Sequence, residues 1–436
     1  MTNSTLSVAL VGIGGYGQTY LSSLFDDNGS RARMIAAVDP NPAACILLPE
    51  LQRRKIPIYS SIQELQARHS PDLVVISTPL QLHSEQVVAA LSGASHVLCE
   101  KPLCSTPAQA AKMLAARERA QRQVSIGYQW SFNPCIGSLK RHISSGIFGQ
   151  PKRLRTLVLW PRSEAYYHFN SWKGRRYTKS GVPIFDSPLN NACAHHLHNM
   201  LYLLGNAPDR SASAATVTAE LYRANSIETF DTAAVRVETT DGVELSIVVS
   251  HATLDERGPS FTFEFEDATI TFEGEQPNAQ TCDGPPILVH FHNGKTRQYG
   301  SPESFPDRKL WAAVESAKFN VPTVCGIETA LPQTQVTAAV HRSVPQAIDF
   351  PKKLINVLPD GTSVRRWIEG LDDVLINSYV TGKLPSELSV PWAVAGKTIH
   401  LTERTVRTVD PKFKISSRVK ILPQIIPTLD SLPGTV

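Results

Sequence analysis

The stretch Gly12-Ile13-Gly14-Gly15-Tyr16-Gly17 has the spacing G-x-G-x-x-G, directly after an apolar run, Leu6–Val11, and directly before a helical pattern, Gln18–Phe25. Few folds satisfy all three parts. Gly12 permits a tight turn, Gly14 lets backbone N–H groups approach a pyrophosphate, and Gly17 lets the helix pack close to the sheet. The helix N-terminus then faces the phosphates. Asp39 ends the next apolar run, 22 residues after Gly17. A carboxylate there accepts hydrogen bonds from ribose hydroxyls and repels a 2′-phosphate. Residues 12–17 and Asp39 are therefore the expected dinucleotide site. They favour NAD, with NADP left open because Arg53 or Arg54 could meet a phosphate.

Further short apolar runs at Met34–Val38, Leu73–Ser77, His96–Cys99 and Gln123–Gly127 are bounded by turn residues, as buried parallel strands are. Helical patterns separate them. Thr106-Pro107-Ala108-Gln109 reads as a capping box with Pro at the first helical position, opening a helix to about Ala120. This is a doubly wound α/β layout, in which ligands bind outside the carboxyl ends of the strands. Two of those ends carry chemistry: Thr78-Pro79 with His83 shortly after, and Glu100-Lys101-Pro102. Pro79 and Lys101 are expected to border the nicotinamide, with Thr78, His83 and Glu100 in the same cofactor site.

From about residue 150 the pattern becomes β-branched and aromatic. Lys152–Trp160, Ala212–Tyr222, Thr232–Thr239, Val243–Ala252, Ser260–Phe265 and Ile287–His292 read as strands, with hairpin turns at Asp241-Gly242 and Asn293-Gly294. A second, α+β domain with a large open antiparallel sheet follows. Helices are expected near Asn190–Leu204, Arg308–Phe319 and Ala330–Ser343. The expected division is residues 1–132, 133–345 and 346–436. The last part reads as a helical appendage around Ser363–Tyr379, followed by a basic tail that is poorly packed or crosses onto a neighbouring subunit.

At 436 residues the chain is long enough for two or more domains, and its net charge is only +4. The segment Glu403–Lys420 accounts for that excess with six cations against two carboxylates. Nothing else favours nucleic acid as a partner. No run approaches the ~20 apolar residues of a membrane span, and Met1–Ser7 carries no basic stretch of a secretion signal. Seven scattered cysteines without a CxxC exclude a disulfide framework or zinc ribbon and point to a reducing cytoplasm.

The runs Val11–Gly17, Ser77–His83, His96–Leu103 (HVLCEKPL), Gly127–Pro134 and the helix ending Leu203-Leu204-Gly205 together resemble the Gfo/Idh/MocA oxidoreductases, the family of glucose–fructose oxidoreductase and inositol 2-dehydrogenase. The resemblance covers roughly residues 5 to 345. It implies a Rossmann domain followed by a domain with a large open antiparallel sheet, and a homodimer or homotetramer paired through that sheet. It also implies oxidation of a hydroxyl on a sugar, sugar derivative or cyclitol, or the reverse. Family members usually carry Asp-x-x-x-His ten residues before the Gly of Leu-Leu-Gly. Here the His is His195 but the Asp is replaced by Asn191, which cannot take up a proton although it can orient a hydroxyl. Tyr128-Gln129-Trp130 also departs from the basic residues often found there.

Asn191, His195, His198 and Tyr202 follow helical spacing in one stripe, and no Lys, Arg, Asp or Glu occurs from Leu189 to Leu204. That face meets ligand or protein rather than water. The alternative is a satisfied buried histidine pair. His195 to His198 lack a Cys or carboxylate to complete a zinc site, so no metal is expected. Cys193 reads as a space-filling small residue rather than a nucleophile.

The resulting expectation is a cytoplasmic, NAD-dependent dehydrogenase of a carbohydrate-like small molecule. His195 would be the general base, Lys101 would stabilise the developing negative charge, and Asn191 would position the substrate. Tyr128, Trp172, Arg175, Arg176 and His198 are further substrate candidates. The basic loop 172–179 would close over an anionic group, or else lie solvated on the surface. Two rivals stay open: a glycosidase or lyase that oxidises transiently and returns the hydride, and a non-catalytic sensor.

Overall fold

The computed structural model describes residues 5–274 and 284–401. The first sheet is built from β1 (Leu6–Val11), β2 (Ala32–Val38), β3 (Ile58–Tyr59), β4 (Leu73–Ile76), β5 (His96–Cys99) and β6 (Val124–Ile126). Its order is β3-β2-β1-β4-β5-β6, all parallel. Helices α1 (Gly17–Asp26) and α2 (Leu48–Arg53) pack on one face, and α3 (Ile62–Gln66), α4 (His83–Ser92) and α5 (Pro107–Ala120) on the other. Alternation along β1 explains the two cores. Val8 and Leu10 face α1, whereas Ala9 and Val11 face the α4–α5 layer. The capping box that opens α5 is formed, with the Gln109 N–H donating to Thr106 Oγ1 at 3.3 Å and the Thr106 N–H donating back to Gln109 Oε1 at 3.1 Å. Strand order reverses between β1 and β4, and the crevice there holds the glycine turn.

After α6 (Pro134–Ser144) the chain enters the second sheet with β7 (Pro151–Leu159). Helices α7 (Glu164–His168) and α8 (Ala194–Leu203) follow, then β8 (Ala214–Arg223), β9 (Thr232–Thr239), β10 (Glu244–Ser250), β11 (Arg257–Phe265), β12 (Ala268–Glu273), β13 (Leu288–Phe291) and β14 (Thr296–Gln298). Helices α9 (Arg308–Phe319) and α10 (Ile327–Ser343) lead to β15 (Ile348–Asp349). The order is β14-β13-β12-β11-β7-β10-β9-β8-β15. The sheet is mostly antiparallel but mixed, because β7 pairs with β10, and β15 with β8, in parallel. A sequence of short turns does not reveal these two pairings. Gly242 and Gly294 turn the expected hairpins with φ of +78° and +86°. Helices α9 and the start of α10 belong by packing to the first sheet: Leu310, Trp311 and Val314 join the α1 side, and Ile327 and Ala330 the α4–α5 side.

The C-terminal part departs from expectation. Ser363–Ile368 is not helical but the strand β17, paired with β16 (Ile355–Asp360) across a turn where Gly361 adopts φ +59°. The helix comes only afterwards, as α11 (Leu371–Thr381), and β18 (Ile399–His400) pairs with the outer side of β8. The β16–β17 hairpin and α11 cover the sheet face opposite α8. Leu157 and Leu159 of β7, Tyr222 and Val248 pack against Phe350, Ile368, Leu371 and Leu375. Polar ties fix the cover: Thr262 Oγ1 meets Tyr379 Oη at 2.8 Å, the Ser386 hydroxyl donates to Glu220 at 2.5 Å, and Arg236 pairs with Glu387. Part of the face expected to pair subunits, around β7, β8 and β10, is thus covered by residues of the same chain. The basic tail and Cys282 lie outside the described residues. Among those described, no helix is long and apolar enough to cross a membrane.

Candidate active site

The glycine turn sits where β1 and β4 diverge. Gly12 has φ +84°, and a Cβ on it would stand 2.6 Å from the Ser77 carbonyl oxygen. A Cβ on Gly17 would stand 2.0 Å from the Gly12 oxygen. Both positions demand glycine. At Gly14 and Gly15, by contrast, a Cβ would meet nothing within 4 Å, so the outer side of the turn is open to a bulky phosphate group. Asp39 has a second task besides facing a ribose. Its Oδ2 accepts the Ile13 N–H at 3.0 Å and its Oδ1 the Asn41 N–H at 2.8 Å, so the carboxylate braces the turn. Thr78 lies against Gly12 and donates to Gln86, and Pro79 leads the chain away from β4.

His83 and Glu100 do not present themselves to a ligand. His83 is 1% exposed, with Nδ1 2.8 Å from the Pro102 oxygen and Nε2 2.9 Å from the Thr78 oxygen. It clamps together the two loops that border the crevice. Burial lowers its pKa, against the two carbonyls that favour the charged ring. Glu100 points inward to form a buried ion pair with Lys309 of α9, and it accepts from Tyr20 Oη at 2.5 Å and the Lys101 N–H at 3.1 Å. Burial alone would raise its pKa, but Lys309 and these donors hold it below the usual carboxylate range. Lys309 Nζ also lies 4.3 Å from the centre of the Tyr16 ring. Lys309 stands 209 residues from Glu100, and no local sequence signal joins them.

Lys101, Asn191 and His195 do converge. Lys101 Nζ donates to the Asn191 main-chain oxygen at 2.8 Å. Burial lowers its pKa despite the adjacent Glu100. Asn191 is not on the helix. The turn Pro188–Asn190 precedes it, α8 begins only at Ala194, and its backbone, at φ −140° and ψ −89°, is neither helical nor extended, so its spacing from His195 is not a helical one. Its side-chain Nδ2 donates to Asp186 Oδ1 at 2.9 Å. His195 has the only ring on α8 that is not buried as a residue. Its Nδ1 is enclosed without a partner, and neither ring nitrogen makes a hydrogen bond among the described residues. Burial, then the charges of Lys101 and Lys309, lower its pKa well below 6.5.

The substrate candidates fare differently. Tyr128 is fully buried, stacked on His198 with ring centres 3.9 Å apart. His198 lies between Tyr128 and Tyr202 and meets Ser131 Oγ at 3.0 Å. Both are core residues, because the absence of charge on α8 reflects contact with protein along that stripe. Arg175 pairs with Glu228 at 3.0 Å, and Arg176 donates to the Pro345 carbonyl, so neither guanidinium is turned to the crevice. Trp172 is half-buried with its main-chain N–H donating to Asn170 Oδ1 at 3.2 Å. The neighbouring Lys173 does reach inward, its Nζ 3.5 Å from the centre of the Tyr166 ring, with Arg162 on the same ring. Cys193 is buried and its thiol is pushed up to about 12 by burial. Among the described residues no cluster of His, Cys, Asp or Glu is arranged to hold a metal ion. The residue that sequence reasoning missed is Asp186, although it is the sole carboxylate between Glu164 and Asp209.

A parallel sheet with an open glycine turn at its switch point, beside a lysine and an imidazole, defines a nucleotide-dependent oxidoreductase. The family model for oxidoreductases with an NAD-binding Rossmann fold matches residues 6–128, and that for the Gfo/Idh/MocA C-terminal domain matches residues 136–271. The chain belongs to the Gfo/Idh/MocA family and is an NAD(P)-dependent dehydrogenase by class. An inositol 2-dehydrogenase of Salmonella paratyphi B is 26% identical over 250 residues, 56% of this chain and 67% of that protein. The WlbA dehydrogenase of Bordetella pertussis, solved with NADH and UDP-GlcNAcA, superposes with a TM-score of 0.64 at 20% identity, covering 78% of this chain and 97% of that one. A levoglucosan dehydrogenase solved with NADH also gives 0.64, at 17% identity, over 78% and 97%.

Proposed function

We propose that this chain moves a hydride between NAD and a secondary hydroxyl carbon of a sugar, sugar derivative or cyclitol. The observation that carries this reading is the convergence of Lys101, Asn191 and an unpartnered His195 beside the glycine turn. The relatives named for inositol and levoglucosan support the substrate class. Gly14, Gly15 and Asp39 fit a dinucleotide, since the turn has open space where a pyrophosphate belongs and the carboxylate keeps lone pairs for a ribose. Asp39 favours NAD over NADP. Bound NAD supplies the hydride acceptor.

The chain's own residues handle the proton. His195 is neutral at physiological pH because burial disfavours the charged ring, so it is free to accept the hydroxyl proton. Lys101, held by the Asn191 carbonyl, places positive charge beside the oxygen as negative charge develops. The described cysteines are all free, which supports a reducing, cytoplasmic setting. Full-length protein with NAD and a panel of sugars and cyclitols should give net NADH absorbance. Product formation without net NADH would instead identify the transient-oxidation lyase, and a bound, unreactive nucleotide would identify a sensor.

A further inference from the structure

We propose that Asp186 is the carboxylate of this site: lodged behind Asn191, it fixes the orientation of the Asn191 amide and balances the charge of Lys101. It is a positioning residue, and the inference rests on the dehydrogenase reading above. Asp186 is 2% exposed. Its Oδ1 accepts the Asn191 amide at 2.9 Å, and its Oδ2 accepts the Gly174 N–H at 2.6 Å. Its backbone is held as well, since its carbonyl accepts from Thr229 Oγ1 at 2.5 Å and its N–H donates to the Arg175 oxygen at 3.0 Å.

No contact ion pair to Asp186 exists among the described residues. A buried charge without one costs stability, and a buried carboxylate beside a cleft with charged groups aimed at it marks a functional-site candidate. Two consequences follow from the geometry. An amide whose nitrogen faces a carboxylate has its own oxygen turned the other way, so Asn191 offers an acceptor to a substrate hydroxyl beside the reacting one. The reacting hydroxyl then keeps its single proton for His195. Lys101, anchored on the same residue's main-chain oxygen, feels the Asp186 charge as well.

Several charged and titratable groups face Asp186: Lys101 from the loop after β5, Lys173 from the loop after α7, and the phenols of Tyr166 and Tyr167 on α7. Burial pushes its pKa up to about 6, while the Gly174 N–H, the Asn191 amide and the two lysines pull the other way. Asp186 is therefore charged above about pH 6, and turnover should fall as pH drops through that value.

The test compares wild type, Asp186→Asn, Asn191→Asp and the combined Asp186→Asn/Asn191→Asp variant, each as the full chain, with NAD and either myo-inositol or D-glucose. Asp186→Asn removes the charge and keeps one acceptor where the carboxylate has two, so either the Asn191 amide or the Gly174 N–H loses its partner. It should lower kcat about 10- to 100-fold, the usual scale of a small misplacement, with little change in KM, and should abolish the acid limb near pH 6. The combined variant, which returns a carboxylate one residue contact away, should recover at least a tenth of the wild-type rate. NAD titration by fluorescence confirms that each variant keeps its nucleotide domain.

Wild-type kcat and pH profile in Asp186→Asn, or no rescue in the combined variant, would overturn the proposal. Isotope-edited infrared spectra, wild type minus Asp186→Asn, follow the carboxyl without substrate. Titration in the ordinary carboxylate range would overturn it while leaving the dehydrogenase reading intact. A titration near 6 with no NAD reduction on these probes or on any other member of the sugar and cyclitol panel would instead strike the dehydrogenase reading, and the inference with it.

Discussion

Replacing Lys309 by Met tests the buried pair under the site. The methionine keeps an unbranched apolar stem against the rings of Tyr16 and Tyr20 but removes the charge. Lys309 is 1% exposed and Glu100 8%, so solvent cannot take over the role of the ammonium. Breaking such a pair from one side costs about 3–5 kcal/mol. Tyr20 Oη and the Lys101 N–H remain as donors to Glu100, which places the expected loss near the lower end, about 3 kcal/mol. The pH dependence has a definite sign. In the wild type the folded pKa of Glu100 lies below its unfolded value of 4.5, so its contribution is present above that value and is lost as pH falls through the lower folded one. In Lys309→Met burial is unopposed by the lysine and the folded pKa rises above the unfolded value. The variant then gains from protonation, and its deficit shrinks as pH falls from neutral toward 4.5. Urea unfolding of the full chain at several pH values reads both effects. The double variant Glu100→Gln/Lys309→Met should recover most of the loss, since neutral replacements of buried pairs are often tolerated. A single-variant loss under about 1 kcal/mol, or one independent of pH, would refute this account.

Three other outcomes are expected. His195→Ala should lower kcat on the order of 10²–10⁴-fold, and near-normal turnover would move the proton transfer elsewhere. Asp39→Asn should narrow the gap between NAD and NADP affinities while keeping the Ile13 brace, whereas Asp39→Ala should weaken both nucleotides because the turn loses its acceptor; equal wild-type affinities would defeat the argument. Replacing Arg175 and Arg176 together by Gln should leave KM unchanged for a neutral sugar and its uronate alike, because Glu228 and the Pro345 carbonyl already hold those guanidiniums. A selective rise for the uronate would restore the loop to the binding surface.

The nucleotide half of the site was legible because its determinants keep a fixed spacing along the chain. Gly17 and the Thr106–Gln109 cap act within one turn, and Gly12 and Asp39, although they meet Ser77 and Ile13 from neighbouring strand ends, recur at set intervals in a strand–turn–helix–strand unit. The second half depends on contacts that spacing does not encode. Asn191 and His195 look like one helical face, yet the Pro188 turn places Asn191 before the helix. Asp186 reaches Asn191 across a loop, and Lys309 arrives from a helix far along the chain. Tyr128 and His198 show the opposite error. A stripe without charges means only that water is excluded, and here aromatic stacking excludes it. The arginines and apolar residues of Ser363–Ile368 fit either period, and it is the Asp360-Gly361 turn, pairing the segment with β16, that makes it a strand.

Residues 348–393 sit on the large sheet as a tethered ligand sits in its own receptor. A covalent link of this kind corresponds to an effective concentration on the order of millimolar, which a second molecule at ordinary protein concentration does not match. Shortening the chain to residue 345 would turn that internal competitor into a missing one. Leu157, Leu159, Tyr222 and Val248 would then face water, and the truncated protein should self-associate or precipitate more readily than the full chain. The same segment added back as a separate peptide would have to compete at its true molarity.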